Sequence, residues 1–587
     1  MQAMMKGSLT TMAVLALVVQ GCRGLERDGH APAKPRDRLT LTELASSACR
    51  DTVSLHNRYF TPLGDWDAAR QAFEGTLVVP AFIMHSPGAE GESAQPWDYF
   101  PGFSADFFTC EGHLVPVLRD TILAFSDKSY WRIILSPGSV WRESDDGGMS
   151  RASFPFALVN DSFNDIHNGL ATFAYDETRT TSLFLQVTQE TSPVFKNDYW
   201  GIAPATYMPR SLEDKDALVA RFVEEERDRI PILPFSALGE RADTTLLRAF
   251  NGGIPREEMS ATGLIWNDTL YVQPCHTRHG EYPCRRHMRH AAYSLTKAMG
   301  ALVALLRLAE KYGEDVFDLE VADYVAITAS HDGWRSVTFA DALNMATGVG
   351  DHAPERVVPN VMQGDEDQPK FLSFLSARSR REKMDVAFSY ADYPWGPGEV
   401  ARYNSINTFI LSAAMDSLLK SKEGPDADIW RMVLAEVYGP IGIAHAPIMR
   451  TVEPDGSVGL PPFGYGLYPS IDDLAKLSIL FQNGGRHRGQ QILHAGRLKE
   501  AMFRTEVVGL PIGSRNEFGD LTYHLAFDGL PYRGEDGLTH RIPFSTGFGG
   551  NHWVLLPNGI ATFRFTDANS YGIDTMIDLA RALRPLE

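Results

Sequence analysis

Ser294 and Lys297 stand three residues apart in Ala292-Tyr-Ser-Leu-Thr-Lys-Ala-Met-Gly-Ala301, and apolar residues continue at helical spacing beyond them. On a helix, positions i and i+3 share a face, so the amine can reach the hydroxyl. Serine is a weak nucleophile without a neighbouring base. Lysine can be that base once burial or a nearby cation lowers its pKa. The helix N-terminus adds backbone N–H groups for a developing oxyanion. A serine that caps a helix bearing a solvated lysine gives the same spacing, so the pair alone leaves both readings open.

Immediately upstream, Cys275 to His290 holds two Cys, four His and four Arg within 16 residues. A metal site is one reading, although the spacing matches no zinc pattern. A surface loop closed by a Cys275–Cys284 disulfide is a second, with the chain turning back at His279-Gly280. The third builds on that loop. Arg278, Arg285, Arg286 and Arg289, fixed at the mouth of the Ser294 site, could bind an anionic substrate group. No Gly-x-Ser-x-Gly, His-Glu-x-x-His or P-loop pattern occurs. The acidic stretch Gly364 to Pro369 lacks calcium-loop spacing and reads as a solvated turn, within a long insertion from Asp351 to Trp395 expected to wall the cleft.

The elements that must position these groups fall into two textures. From Gly75 to about Glu190, short runs rich in β-branched and aromatic residues alternate with Gly/Pro/Asn/Asp turns: Thr76–Met84, Tyr130–Leu135, Phe154–Val159, Gly169–Tyr175 and Ser182–Val187. This predicts a β-rich domain, a sandwich or partly closed barrel, whose Trp and Tyr residues either fill its core or line a sugar or peptide site. Leu212 to Arg229 reads as a charged helix broken by Pro231 and Pro234. Beyond Phe235, amphipathic helices (Ala298–Tyr312, Asp472–Phe481, Thr575–Leu583) mix with strands, including a hairpin around Pro557-Asn-Gly559.

Composition bounds the function. The chain has 587 residues, Lys+Arg 55 against Asp+Glu 74, and a net charge of −19. Its 44% hydrophobic and 22% charged residues suit two or three folded domains and exclude wholesale disorder. The acidic balance argues against a nucleic-acid partner. No run after residue 21 is long and apolar enough for a membrane span. Residues 1–21 have a basic start at Lys6 and an apolar core, Met12 to Val19, of signal-peptide length. Val19-Gln-Gly-Cys22 resembles a bacterial lipobox, which implies lipidation of Cys22. An ordinary secretory signal and an uncleaved anchor are the alternatives. Residues 22–48 would be a tether, and Arg23 suits outer-membrane sorting in a Gram-negative envelope, on the periplasmic side. The other four cysteines allow three pairings; local proximity favours Cys49–Cys110 and Cys275–Cys284, which an oxidising compartment permits.

From about Thr244 onward the chain resembles the serine β-lactamase and penicillin-binding-protein superfamily, nearest the class C β-lactamases and related esterases. Ser294-x-x-Lys297 is followed in order by Val337 to Gly348, Pro397-Gly398 leading to Tyr403-Asn-Ser-Ile-Asn407, Gly466 to Ala475, and Ser545-Thr-Gly-Phe-Gly-Gly550. Met259 to Val272 resembles the opening hairpin of that fold. The resemblance implies an α/β (α+β) β-lactamase/transpeptidase-like domain over 241–587. A separate β-rich, sandwich-like domain of unknown role (49–210) and a helical linker (211–240) would precede it. It implies Ser294 as nucleophile, Lys297 as base, and Tyr403 as proton shuttle, provided Lys297 holds the phenol partly ionised; the other reading of Tyr403 is a buried structural tyrosine. The N–H groups of Ser294 and Phe548 would form an oxyanion hole. Ser405, Asn407, Ser545, Thr546 and Gly547 would complete the substrate site. No metal or organic cofactor is implied.

Two positions depart from the family pattern. Ser405 stands where Tyr-x-Asn has an amide, and Ser545 where a Lys or His usually precedes Thr-Gly. Without that cation, efficient penicillin hydrolysis is not expected, and a small ester, amide or peptide substrate, with an anionic group as one option, becomes the expectation. The rival is a non-catalytic envelope protein that keeps the fold as a binding or scaffold module.

Overall fold

The computed structural model describes residues 39–586, apart from 46–53, 63–66, 87–93, 122–125, 144–145, 161, 195, 352–363, 365 and 367–368. Cys22, Cys49 and the signal and tether segments up to residue 38 lie outside the described residues. Among the described residues no helix is long and apolar enough to cross a membrane.

The N-terminal region is one antiparallel sheet of ten strands, not two face-packed sheets. Its two outermost strands, Trp200–Ala203 and Thr206–Pro209, sit at opposite ends of the strand order yet are separated in sequence only by Pro204 and Ala205. So short a link spans roughly 10 Å at most, so the sheet curls until its edges nearly meet. Of the two forms expected of this β-rich region, the single curled sheet matches the partly closed barrel. Its longest strands, β1 (Ser150–Val159) and β2 (Ile166–Tyr175), pair without a register break and are buried at every position. Period-2 alternation explains how one hairpin serves two cores. Phe154, Phe156, Leu158, Ala171 and Phe173 point into the barrel. Ala157, Val159 and Ile166 point the other way, onto Ala291, Tyr293 and Tyr468.

A charged helix, α1 (Lys215–Arg227), leads to a nine-stranded sheet. Its centre is built by β3 (Met259–Trp266), β4 (Gly519–His524), β5 (Phe527–Arg533), β6 (Thr539–Gly547), β7 (Asn551–Leu555) and β8 (Ala561–Thr566). The first and last halves of the C-terminal sequence meet where β3 pairs with β8. One face of the sheet carries the main helical core, including α2 (Val303–Tyr312), α3 (Ser405–Glu423) and α4 (Ile471–Gln482). The other is covered by α5 (Asp574–Leu583) and the short helix Thr244–Ala249. This is the expected β-lactamase/transpeptidase-like arrangement with a strand-rich region ahead of it.

Because β2 is locked between the two bodies, a charge on its C-terminal-facing side should damage both. Ile166→Asp places a carboxylate at a site with 0% exposure. The expected loss is at least ~3 kcal/mol, read as a lower midpoint in chemical denaturation. A midpoint within error of the parent would contradict the packing described.

Candidate active site

The segment from Ala292 to Lys297 is a tight turn that runs into a buried π-helical turn, Lys297–Leu302, and then α2. Tyr293, one residue before Ser294, has a left-handed backbone with φ +46. A non-glycine residue pays for that conformation with strain of about 1–3 kcal/mol, so the surroundings must enforce it. They do so from the N-terminal sheet. The loop between β1 and β2 projects Asn164, whose Oδ1 accepts from the Tyr293 N–H at 2.7 Å and from the Gly466 N–H at 2.8 Å. Next to it, Asp165 Oδ1 accepts from the Tyr293 hydroxyl at 2.7 Å and from Ser192 at 2.8 Å. The Tyr293 ring also packs edge-on against Phe548 with centroids 5.6 Å apart.

Lys297 is 1% exposed. Its Nζ lies 3.0 Å from Ser294 Oγ, 2.6 Å from Tyr403 OH, 2.8 Å from Ser405 Oγ and 2.9 Å from the Gly464 carbonyl. Tyr403 OH also makes a very short hydrogen bond to Ser294 Oγ. Burial lowers the Lys297 amine to about 8, against the opposing pull of Glu366 and Asp528. At pH 7 roughly a tenth of the molecules then hold it neutral, with a lone pair to accept a proton. Tyr403 moves the other way. Burial first, then the field of Glu366, holds its hydroxyl well above the ordinary phenol range. Burial thus favours the protonated phenol of Tyr403 over the partly ionised one that the resemblance implied.

Local sequence explains the convergence. Asn404 caps α3, its side chain accepting from the Ile406 N–H at 3.0 Å, so Ser405 begins the helix with its hydroxyl turned to Lys297. The Gly464 carbonyl can approach because a Cβ there would meet Ser405 Cβ at 2.7 Å. On the opposite wall, β6 ends at Gly547, where a Cβ would meet the Ala292 carbonyl at 2.6 Å. Asn551 ties this strand end to the turn, donating to the carbonyls of Ala291 at 3.0 Å and Phe548 at 3.1 Å. The N–H groups of Ser294 and Phe548 have no acceptor among the described residues.

The remaining expected site residues divide. Ser545 is buried, in register with Trp553. Thr546 is half-buried and contacts His552 at 3.3 Å. Asn407 is buried beside Thr347, with 3.4 Å between its Oδ1 and the threonine hydroxyl, and makes no hydrogen bond with the Lys297 cluster.

The cysteine expectations are corrected. Cys275 and Cys284 are free thiols. The hairpin does turn at Arg278-His279 with Gly280 at positive φ, but its register sets Tyr282 opposite Cys275. Cys284 lies two residues further on and cannot face it. Cys110 is also a free, buried thiol, packed with Val115, Leu212 and Phe222.

Three of that loop's four arginines are taken up by partners within the protein. Arg278 grips Glu190 at 2.7 and 2.9 Å and Asp198 at 3.2 Å. Arg289 donates to Asp473 at 2.9 Å, and Arg286 to the Ile230 carbonyl at 2.9 Å. Arg278 thus joins the loop to the N-terminal sheet, Arg289 ties it to α4 within its own body, and Arg286 ties it to the linker.

Sequence reasoning missed Asn164, Asp165, Asn551 and Glu366. Glu366 does sit in a turn, but it is half-buried rather than solvated. Its Oε1 accepts from the Ser405 N–H at 2.7 Å. Its only signal in the sequence was a carboxylate inside the insertion already expected to wall the cleft.

Residues 271–570 match the family model described as Beta-lactamase. Among solved structures, the chain is similar to a penicillin-binding protein homolog from Caulobacter crescentus (15% identity, TM-score 0.37, covering 62% of this chain and 96% of that one). It is similar also to EstCE1, a hydrolase with promiscuous acyltransferase activity (13%, 0.41, 60% and 99%), and to a D-stereospecific amidohydrolase from Streptomyces sp. (14%, 0.39, 58% and 98%). No curated protein matches.

The geometry makes Asn164 a positioning residue for the Ser294 turn. Asn164→Ala removes the acceptor of two backbone N–H groups, worth about 1–3 kcal/mol each. The expected result in steady-state ester kinetics is a fall in kcat of about 10–100-fold with KM nearly unchanged. A rise in KM at constant kcat would contradict this role.

Proposed function

The chain belongs to the beta-lactamase family, and from that premise we propose that it is a serine hydrolase working by acyl transfer through Ser294, as an esterase or amidase rather than an efficient β-lactamase. The observation that carries this is the buried Lys297 amine in contact with Ser294 Oγ, Tyr403 OH and Ser405 Oγ at once.

The steps follow from the contacts. Neutral Lys297 takes the proton of Ser294, directly or through Tyr403, as Oγ adds to the substrate carbonyl. The N–H groups of Ser294 and Phe548 receive the oxyanion. Tyr403 passes the proton to the departing alcohol or amine, leaving an acyl-enzyme. Water entering along the reverse proton route releases the acid and restores Ser294. Ser405 fills the place of the missing amide by accepting from Lys297. Ser545 supplies no charge for a substrate carboxylate, so short-chain esters should be turned over far better than penicillins.

Ser294→Ala should abolish p-nitrophenyl ester turnover, and Lys297→Ala should lower it about 10²–10⁴-fold. Since the neutral amine is the base and its pKa is about 8, kcat/KM should climb as pH rises through that value. Full activity in Ser294→Ala, or a rate that falls across pH 7–9, would overturn the assignment.

Export belongs to the same proposal. Residues 1–21 act as a lipoprotein signal, and lipidated Cys22 holds the protein at the periplasmic side of the outer membrane. Labelled palmitate should enter the parent protein and not Cys22→Ala; equal labelling of both would exclude Cys22 as the acceptor.

A further inference from the structure

Arg278 and Arg289 of the loop before Ser294 are engaged with Glu190, Asp198 and Asp473, and the charge that acts on Lys297 comes from other groups. Those groups are acidic. Glu366 is held against the start of α3 by the Ser405 N–H. Asp528 comes from β5, opposite Phe544 of β6, where pairing between the two strands stops. The edge from Ser545 to Gly547 is therefore open beside it. Both carboxylates act on Lys297 and on Tyr403, so they share the cleft with the reacting groups.

One lysine cannot balance two carboxylates. Glu366 exerts the larger pull on Lys297. Asp528 has no hydrogen-bond or ion-pair partner among the described residues. Though half-buried, it is enclosed enough that burial pushes its carboxyl up to about 7, against the pull of Lys297. A third group points to what is missing. Tyr523 stands directly across the β4–β5 hairpin from Asp528 and is 3% exposed. Its hydroxyl is buried without a partner among the described residues, within electrostatic reach of Asp528 and Glu366. A buried, unpaired phenol costs free energy unless a ligand completes it. The hairpin holding both residues is fixed. Leu525 and Ala526 at its tip are buried, and the Leu525 N–H donates to Asn344 Oδ1 at 2.7 Å.

Two carboxylates and a phenol oxygen are acceptors, and together they suit a group with several N–H donors and one positive charge. We propose that Asp528, Glu366 and Tyr523 OH form a subsite for a primary ammonium group of the substrate, so that the Ser294 centre takes amino-bearing esters or amides in preference to anionic ones. The subsite rests on the acyl-transfer function proposed above and gives it a substrate class. Its charge is opposite to that expected from the arginine-rich loop. Asp528 supplies the unpaired charge, Tyr523 the neutral acceptor, and Glu366 the wall between the ligand and Ser405.

The test uses n-butylammonium, n-butanol and butyrate as ligands of the full-length protein. As competitors of p-nitrophenyl acetate hydrolysis, butylammonium should have an inhibition constant about tenfold below that of butanol, with butyrate weakest. In Asp528→Asn and in Tyr523→Phe the advantage of ammonium over butanol should shrink severalfold. Butyrate binding as tightly as butylammonium, or no difference between butylammonium and butanol, would overturn the subsite; this comparison in the parent protein stands without the variants. A second readout separates the subsite from the reaction. In Ser294→Ala, butylammonium should raise Tm more than either other ligand, whether or not the parent hydrolyses the ester. A Tm shift without parent turnover would sink the acyl-transfer function alone, and turnover without a preferential shift would sink the subsite alone.

Discussion

An amine taken out of water and surrounded by oxygens is the constraint on which this molecule is organised. Lys297 Nζ has four oxygen neighbours from three segments: the turn at Ser294, the run Tyr403 to Ser405 that opens α3, and the Gly464 carbonyl. A lysine so buried is costly as a cation and only partly repaid by the carboxylates nearby. Its lowered pKa is what the proposed role as base for Ser294 requires, since such a base must be available near neutrality. Each surrounding element is then shaped to keep those contacts short: glycine where a carbonyl must approach, a capped helix where a hydroxyl must point inward.

The second requirement is a fixed Ser294. The strained Tyr293 backbone is held by the N-terminal sheet, through Asn164 and Asp165, as well as by Phe548. The curled sheet is thereby more than a neighbour of the catalytic body. Its longest hairpin is buried on both faces, filling its own core on one side and completing the turn at Ser294 on the other. The arginine-rich loop contributes to the same junction: Arg278 pairs with Glu190, and the Arg289 carbonyl accepts from Asn168 at 2.8 Å. Inter-body contacts of this kind couple the stability of one body to the geometry of the other.

Much of this was legible in the sequence, and the limits have physical reasons. The hairpin around 557–559, α4 and α5 follow from local periodicity and turn residues, the hairpin around residue 267 was implied by the family resemblance, and the structure has each of them. The Ser294–Lys297 pairing was readable because three residues on a turn decide it. Asn164, Asp165 and Asn551 were not readable, since each acts across more than 100 residues of chain and carries no local signature. Glu366 was misassigned to solvent for the same reason; its partner, the Ser405 N–H, is 39 residues away. The disulfide expectation failed on register alone, because two residues of offset along the hairpin put Tyr282, not Cys284, across from Cys275.

The central claim is that Ser294 is the group acylated and that Lys297 drives it. Its most direct measurement is labelling of the full-length protein with a fluorophosphonate at a series of pH values, followed by mass mapping of the modified peptide. The account predicts one adduct, on Ser294, forming faster as pH rises through about 8 in step with the free amine of Lys297. An adduct on any other residue, or no adduct on folded protein across that range, would contradict it.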